Sequence, residues 1–547
     1  MDNTKKKYDL ITAAAVTVVV NILVIVGLYF HEPWFDEAQA YLLARDSSFH
    51  DLLMYWTHYE GHPPLWHLLL RGAVKVGLPY ELALKSVNFI FVEAVLILIE
   101  FRSPFSRITK VIIPTSYFLL YQYSVVSRPY MMLTFFCLLA AFYYKDRDKK
   151  PVRYSIALIL MCLSHSYGIA FAGGIVLSDL IGESIRERSA KKMISRVLSN
   201  KKLIISYSVL LVAALAILAD IMPHSDTYAA QKTLDSHAHS FAACYIFSWL
   251  LIPSENLLTS FSSDKIKMME EINPINEVII AAVLSLIVWT LLFCISRKRK
   301  MIAELFIPYS FIAVLTSLYA LPHHFGIFLM YMLFMLWTAS DKEKITLAEF
   351  SAPLEKAGLS ANLTKKIAVC SAAALSGMNL YWSGICYFKD ISSPYDSAPE
   401  LAQWIKDNGL EGKNLLTTWS KSDIHMVNAS SVASNAYFDK NIYYNLNRGM
   451  SFITHIVSDE DDIIKEKNQW KAVGEPDFMI CDAPIETSFI CEELDLNGSY
   501  VATAYIAKGE RIFKDKTEKC DTYVMCTREK YKELYGKEYE VQTYKNS

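Results

Sequence analysis

Two adjacent carboxylates, Asp36 and Glu37, stand six residues beyond the end of an apolar run, in the stretch HEPWFDEAQAYLLARD. A carboxylate can take a proton from a hydroxyl, and one tethered this close to a bilayer can meet a substrate held there. Its neighbours Trp34 and Phe35 are apolar, and partial desolvation makes a carboxylate a better base. Adjacent acids on a loop are more commonly a solvated surface, so companions are needed. Arg128, in SRPYMM between two apolar runs, is either an anchor to lipid head groups or a planar clamp for a phosphate. Tyr130 beside it offers a ring to a sugar. His165, in LSHSYG at the end of another run, and Lys85, early in the second run, are further candidates for the phosphate. Glu60 and His62, in EGHPPLW, are candidates for binding an acceptor or supporting the loop. His237, His239, His323 and His324 lack metal-site spacing. The expected site therefore holds no metal and needs no cofactor.

The elements that must position these groups are mostly hydrophobic. Of 547 residues, 53% are hydrophobic and 20% charged, and the mean hydropathy is +0.22. That composition fits a polytopic membrane protein carrying a smaller soluble part. The net charge of −2 gives no electrostatic footing for nucleic acid. Apolar runs lie at about 10–30, 80–101, 111–126, 130–144, 153–165, 168–182, 203–221, 277–296, 302–320, 322–338 and 366–388. The first is long enough to span a bilayer, at roughly 20 residues, and HEPWFDE after it offers no small-residue cleavage site. Basic clusters follow alternate runs: Arg102–Lys110, Lys145–Arg153, Arg186–Lys202, Arg297–Lys300 and Lys342–Lys366. With a cytoplasmic amino terminus, all of them fall inside. About eleven spans then place residues 389–547 outside.

This parity requires that Pro63–Leu78 does not cross. His67, Arg71 and Lys75 recur at i, i+4 and i+8 among Leu, Trp and Val, so the pattern predicts an amphipathic helix lying in the interface. Residues 38–46 and 49–56 read as further interfacial helices within an outer loop over 31–79. Asp36, Glu37, Glu60, His62, Arg128, His165 and His237, His239, His323, His324 then collect at the outer face. The tail reads as a small α/β domain: SAPELAQWIKDNG is a helix ending at Gly409, and NLLTTW, DFMICDA and TYVMCT are strands. Cys481, Cys491, Cys520 and Cys526 lie in it, enough for two disulfides outside the cell. The other cysteines sit in apolar segments as small core residues.

The motifs WFDEAQAYLLARD, GHPPLWHLLL, SRPYMML and LSHSYG, in this order over about residues 8–340, resemble the GT-C glycosyltransferases. The likeness is to the group holding protein O-mannosyltransferases and the lipid A aminoarabinose transferase. It implies a plasma-membrane transferase that moves a sugar from a polyprenyl-phosphate lipid donor, with inversion, to a glycan, lipid or protein acceptor at the outer leaflet. Asp36 matches the first acid of the family's loop motif, the general base, and Glu37 the second, a helper or acceptor-binding group. Arg128–Pro129 stands where some members carry an acid linked to metal binding, and the soluble repeats of eukaryotic O-mannosyltransferases are lacking. The rival from another class is a non-catalytic transporter of lipid or polysaccharide. Such a protein places its ionisable residues near the bilayer midplane.

Overall fold

The computed structural model describes residues 3–233, 240–262, 274–346, 348–349, 354–355, 358–421 and 423–540. His237 and His239 lie outside the described residues. Among the described residues, five helices are long and apolar enough to cross a membrane: Lys7–Phe30, Tyr80–Arg102, Ser166–Glu187, Lys201–Asp220 and Ile275–Lys298. Shorter apolar helices, Tyr130–Tyr144, Pro151–Ser164, Phe241–Leu250 and Ile302–Leu318, pack among them. Ile205, Val209 and Val212 on one helix, and Ile279, Val283 and Leu286 on another, are more than half exposed. Side chains of this kind turned outward along whole helices suit lipid rather than water.

The helices differ from the expected runs in two places. Residues 111–126 do not form one helix. Arg107–Ile112 is a short α-helix, and the chain then turns before a π-helical turn at Phe118–Gln122. Pro114 lies between them, and a proline there removes a helix donor and clashes with the preceding turn. Conversely, Phe241–Leu250 and Ile252–Leu257 are helical although they were not among the expected runs. Pro253 and Glu255 interrupt the apolar pattern that would have shown them. Gly168 lies inside the helix Ser166–Glu187, where a Cβ would overlap the Met161 carbonyl oxygen, so it permits two helices to approach closely.

The loop after the first span is helical throughout. Helix α1 (Asn3–Phe30) is followed by α2 (Phe35–Asp46), α3 (Phe49–Met54), α4 (Trp56–Glu60), α5 (Leu65–Lys75) and α6 (Tyr80–Ile97). Pro33 stops α1 from running into α2, because the residue before a proline avoids the helical region. Gly61 at φ 64° ends α4, and Pro63–Pro64 lead into α5. The expected basic stripe on α5 is turned partly inward. His67 is buried, and Arg71 donates to the carbonyls of Ala44 (3.1 Å) and Ser47 (2.7 Å) at the end of α2. A guanidinium there satisfies carbonyls that a helix end leaves free.

Among the described residues, the tail holds helix Ala398–Asp407 and eight short strands. These are β1 (Leu415–Thr417), β2 (Trp419–Ser420), β3 (Asp423–Val427), β4 (Phe478–Cys481), β5 (Ala502–Ala507), β6 (Glu510–Phe513), β7 (Lys516–Lys519) and β8 (Thr522–Cys526). Four of them form a mixed sheet in the order β1-β4-β8-β5, with β1 parallel to β4 and the other pairs antiparallel. All four tail cysteines are free thiols. The tail is joined to the helices by a continuous core that includes Val24, Leu120, Trp382, Phe452 and Phe513. Lys514, at the tip of the β6–β7 hairpin, is fully buried. Its ammonium donates to the carbonyls of Glu255 and Thr259 and lies 4.1 Å from the Trp382 ring centroid.

Candidate functional site

Asp36 and Glu37 are neighbours in sequence, but the first turn of α2 points them to different surroundings. The Asp36 carboxylate is 24% exposed and meets Arg128 Nη1 at 2.6 Å. Glu37 is wholly buried. Its Oε2 accepts from the Trp34 amide at 3.2 Å and contacts His31 Nε2 at 3.2 Å. Its Oε1 accepts from the Ser127 amide at 2.6 Å. As the third residue of the helix it serves the free amide at the helix start, and it also pins the turn that carries Arg128. Glu37 therefore fixes where Arg128 stands relative to Asp36, a positioning place rather than one open to an acceptor.

His31 ties this brace to the tail, since its Nδ1 contacts Asp390 Oδ2 at 3.2 Å, and Tyr121 donates to the same oxygen at 2.9 Å. Burial alone would push the His31 pKa down, but the Glu37 and Asp390 carboxylates outweigh it and raise the value to about 10. The ring is thus a buried cation between two carboxylates at neutral pH.

Around Arg128 the structure gathers rings. The guanidinium lies 5.9 Å from the Trp34 centroid and 5.4 Å from that of Tyr130, and its Nη1 is 3.2 Å from His323 Nε2. Tyr130 is 5.0 Å from His165, and His165 is 4.5 Å from His62. His324 lies beside His323, 4.3 Å between centroids. Burial, with help from the Arg128 charge, lowers the pKa of His62 to about 3 and drives His165, His323 and His324 down as well. These rings are neutral at pH 7. Neutrality fixes a tautomer at His165: its Nδ1 accepts from the Tyr167 amide at 3.3 Å, so Nε2 carries the proton.

Four buried polar atoms in this group have no hydrogen-bond partner among the described residues: Trp34 Nε1, His62 Nδ1, Tyr130 Oη and His165 Nε2. Unsatisfied buried polar atoms are uncommon in native proteins, and each is costly. Here they gather around an ion pair whose carboxylate is also partly exposed, so a polar ligand can reach them.

Of the other sequence candidates, Glu60 is brought in. It accepts from Gln39 Nε2 at 2.9 Å, and burial raises its pKa, with Asp36 adding to the rise. Lys85 goes elsewhere, pairing with Glu81 at 2.5 Å, and Glu81 also accepts from Tyr437 at 2.9 Å. The tail contributes residues that sequence reasoning did not single out. Arg511 sits 4.8 Å from the Trp34 centroid and pairs with Asp396 at 2.7 Å. Gln39 exchanges hydrogen bonds with the backbone of Ile453 at 2.6 and 3.0 Å, and His455 lies 3.7 Å from Glu60. No group of three His, Cys, Asp or Glu side chains converges as a metal site among the described residues.

No family model matches the chain, and no curated protein matches it. Among solved structures, the chain is similar to ArnT from Cupriavidus metallidurans bound to undecaprenyl phosphate. The identity is 12%, the match covers 94% of this chain and 97% of that one, and the TM-score is 0.48. A likeness of that degree assigns neither a donor nor an acceptor.

Proposed function

We propose that the protein is a membrane glycosyltransferase that takes a sugar from a polyprenyl-phosphate lipid and joins it to an acceptor hydroxyl at the outer face, with Asp36 as general base. The observation that carries this reading is the partly exposed Asp36–Arg128 pair, ringed by four buried polar atoms without partners among the described residues. The sequence motifs supply the donor class.

In this reading Arg128 presents its guanidinium to the donor phosphate as a fork. His165 Nε2–H, Tyr130 O–H and Trp34 Nε1–H add neutral donors to the same phosphate or to sugar hydroxyls. As the phosphate draws on Arg128, the hold on Asp36 weakens, so the base is released in step with donor binding. Asp36 then takes the acceptor hydroxyl proton. The oxygen attacks the anomeric carbon from the face opposite the phosphate, and the anomeric C–O bond breaks. The polyprenyl phosphate leaves with the bonding pair, and the configuration inverts. The leaving group is already good, so positioning and charge stabilisation supply most of the acceleration. Asp36 and Arg128 stand at helix starts and not in mid-span, an arrangement that suits surface chemistry better than transport.

The test is release of polyprenyl phosphate from synthetic polyprenyl-phosphate-linked sugars by the purified protein. It is paired with mass spectrometry of surface glycans and glycolipids from cells with and without the gene. Release together with a missing sugar in the deletion strain is the expected result. An unchanged glycan and glycolipid profile, with no release from any donor, overturns the reading.

A further inference from the structure

A second polar hollow lies in the tail, away from the Asp36 loop. It is a cavity of about 470 Å³ between the helix Glu460–Val473 and the turn before residue 450. Asp462, Glu466 and Gln469 reach it from one helix face, and Tyr444, Arg448 and Trp470 complete it. The turn is held in an unusual conformation. Asn447, Arg448 and Gly449 have successive φ values of 33°, 60° and 78°, a region that side-chain-bearing residues rarely adopt and that recurs where strain serves a site. Its effect is to set Arg448 against the helix, with Nε 3.0 Å from Glu466 Oε1 and Nη2 2.8 Å from Ser458 Oγ.

Two polar atoms there are buried without a partner among the described residues: Glu466 Oε2, on a residue 7% exposed, and the Tyr444 hydroxyl. The charges are balanced, since Arg448 and Lys465 face Asp462 and Glu466. A phosphate or carboxylate ligand would be repelled by the two acids, and a metal or ammonium by the two cations. What suits alternating donors and acceptors beside two aromatic rings is a neutral molecule with many hydroxyls. We propose that this cavity is a saccharide-binding subsite that takes one neutral hexose-sized unit. Glu466 Oε2 accepts from a sugar hydroxyl, Tyr444 Oη and Gln469 share others, and Arg448 donates.

The same turn runs on to the candidate site. Ser451 bonds to Asp46, Phe452 packs on Trp56 at 5.1 Å, Ile453 holds Gln39, and His455 faces Glu60. A sugar seated at Arg448 is therefore one short loop from the residues beside Asp36, which suits a growing glycan acceptor gripped at a unit other than the one being extended. That use rests on the transferase reading; the binding itself does not.

Saturation-transfer NMR on the full-length protein in nanodiscs tests it, with D-glucose, D-galactose, D-mannose and N-acetyl-D-glucosamine as probes and D-glucuronate and D-glucosamine as charged controls. The expected result is transfer to at least one neutral sugar, reduced threefold or more in Glu466→Gln and in Gln469→Ala, and kept in Asp36→Asn. Gln469 is exposed, so its truncation leaves the fold intact if Glu466→Gln does not. No transfer to any neutral sugar, stronger transfer to a charged control, or transfer indifferent to both tail variants overturns the subsite. Transfer lost in Arg128→Ala but kept in both tail variants also overturns it, while leaving the transferase reading standing.

Discussion

Two clusters of arginine and carboxylate sit in the helical part of the molecule, and they are built differently. In one, Asp179 is fully buried. Arg147 approaches one of its oxygens at 2.6 Å, Arg196 the other at 2.7 Å, and Tyr207 donates at 3.3 Å. In the other, Asp36 is a quarter exposed and bound to Arg128 through one oxygen. Trp34 Nε1, His62 Nδ1, Tyr130 Oη and His165 Nε2, without a hydrogen-bond partner among the described residues, stand nearby. A carboxylate with every lone pair taken and no access to solvent can hold helices together but cannot accept a proton from a substrate. The Asp36 carboxylate keeps that access. Charge alone does not separate the two kinds of cluster, and neither do orphaned atoms, since Arg196 Nε and Asp148 Oδ1 beside Asp179 also lack hydrogen-bond partners among the described residues; access to the carboxylate does.

The largest expected effect sets the two aspartates against each other. Asp36→Asn keeps the size of the side chain but removes the proton acceptor, so turnover falls by about 10²–10⁴-fold with the melting temperature held. Asp179→Asn takes the carboxylate partner from the half-buried Arg147, while Arg196 keeps Glu183 and Asp148, and breaking a buried pair costs about 3–5 kcal/mol. It lowers the melting temperature, and whatever protein stays folded turns over near the normal rate. Sugar transfer and thermal melting on both purified variants measure this. An Asp36→Asn protein at full rate would remove the distinction.

Next comes Arg128. Its replacement by Ala removes the phosphate fork and reduces donor use by about 10²–10³-fold, in the range for losing one preorganised stabilising donor. Arg128→Lys recovers part of this, because an ammonium carries the charge without the paired geometry. Donor kinetics for both variants check the order Arg, Lys, Ala. Equal rates for Ala and Arg would return Arg128 to the status of an anchor.

The Asp36 cluster was legible in sequence to the extent that its members lie in short local motifs. Asp36, Arg128, Tyr130, His62 and His165 each stand out as a polar group at the edge of an apolar run, and topology alone sends them to one side. Glu37 read as a helper or acceptor-binding group beside the base, since adjacency in sequence says nothing about which acid a helix start turns inward. Lys85 looked like a free cation in an apolar run, although Glu81 four residues earlier is its partner. The tail's share could not be read. Arg511 above Trp34, and Ile453 against Gln39, join residues more than 400 apart in the chain, and no local periodicity records such contacts. The helix pair at Phe241–Leu257 was hidden for a simpler reason, a proline and a glutamate inside a short apolar stretch.

A smaller effect tests the brace beneath Asp36. The His31 pKa is raised to about 10 in the folded protein from an ordinary 6.5. A raised value means that folding is favoured by the bound proton. The contribution is complete below pH 6.5, where both states are protonated, and is lost as pH rises through 10. The melting temperature of the wild type should therefore decline between pH 7 and 10. His31→Gln, which carries no titrating proton, should decline less over the same interval. Parallel curves for the two proteins would mean that His31 is not the cation between Glu37 and Asp390.

The smallest expected effect separates structure from binding within one ring. His165 caps the helix Ser166–Glu187 through Nδ1, which accepts from the Tyr167 amide, while its Nε2–H is buried without a partner among the described residues. Asparagine is a good residue at a helix start because its side-chain oxygen accepts from the same amides. It is too short to place a donor where Nε2 stands. His165→Asn should therefore melt within a few degrees of the wild type yet bind donor less well. A lost hydrogen bond to a charged group is worth about 1.5 kcal/mol at the low end, so donor KM should rise roughly tenfold with kcat little changed. His165→Ala should show the same rise in KM together with a lower melting temperature, because it loses the cap as well. If Asn left KM unchanged and Ala shifted only the melting temperature, His165 would serve the helix alone. The unsatisfied nitrogen would then belong with the structural cluster around Asp179 rather than with the site around Asp36.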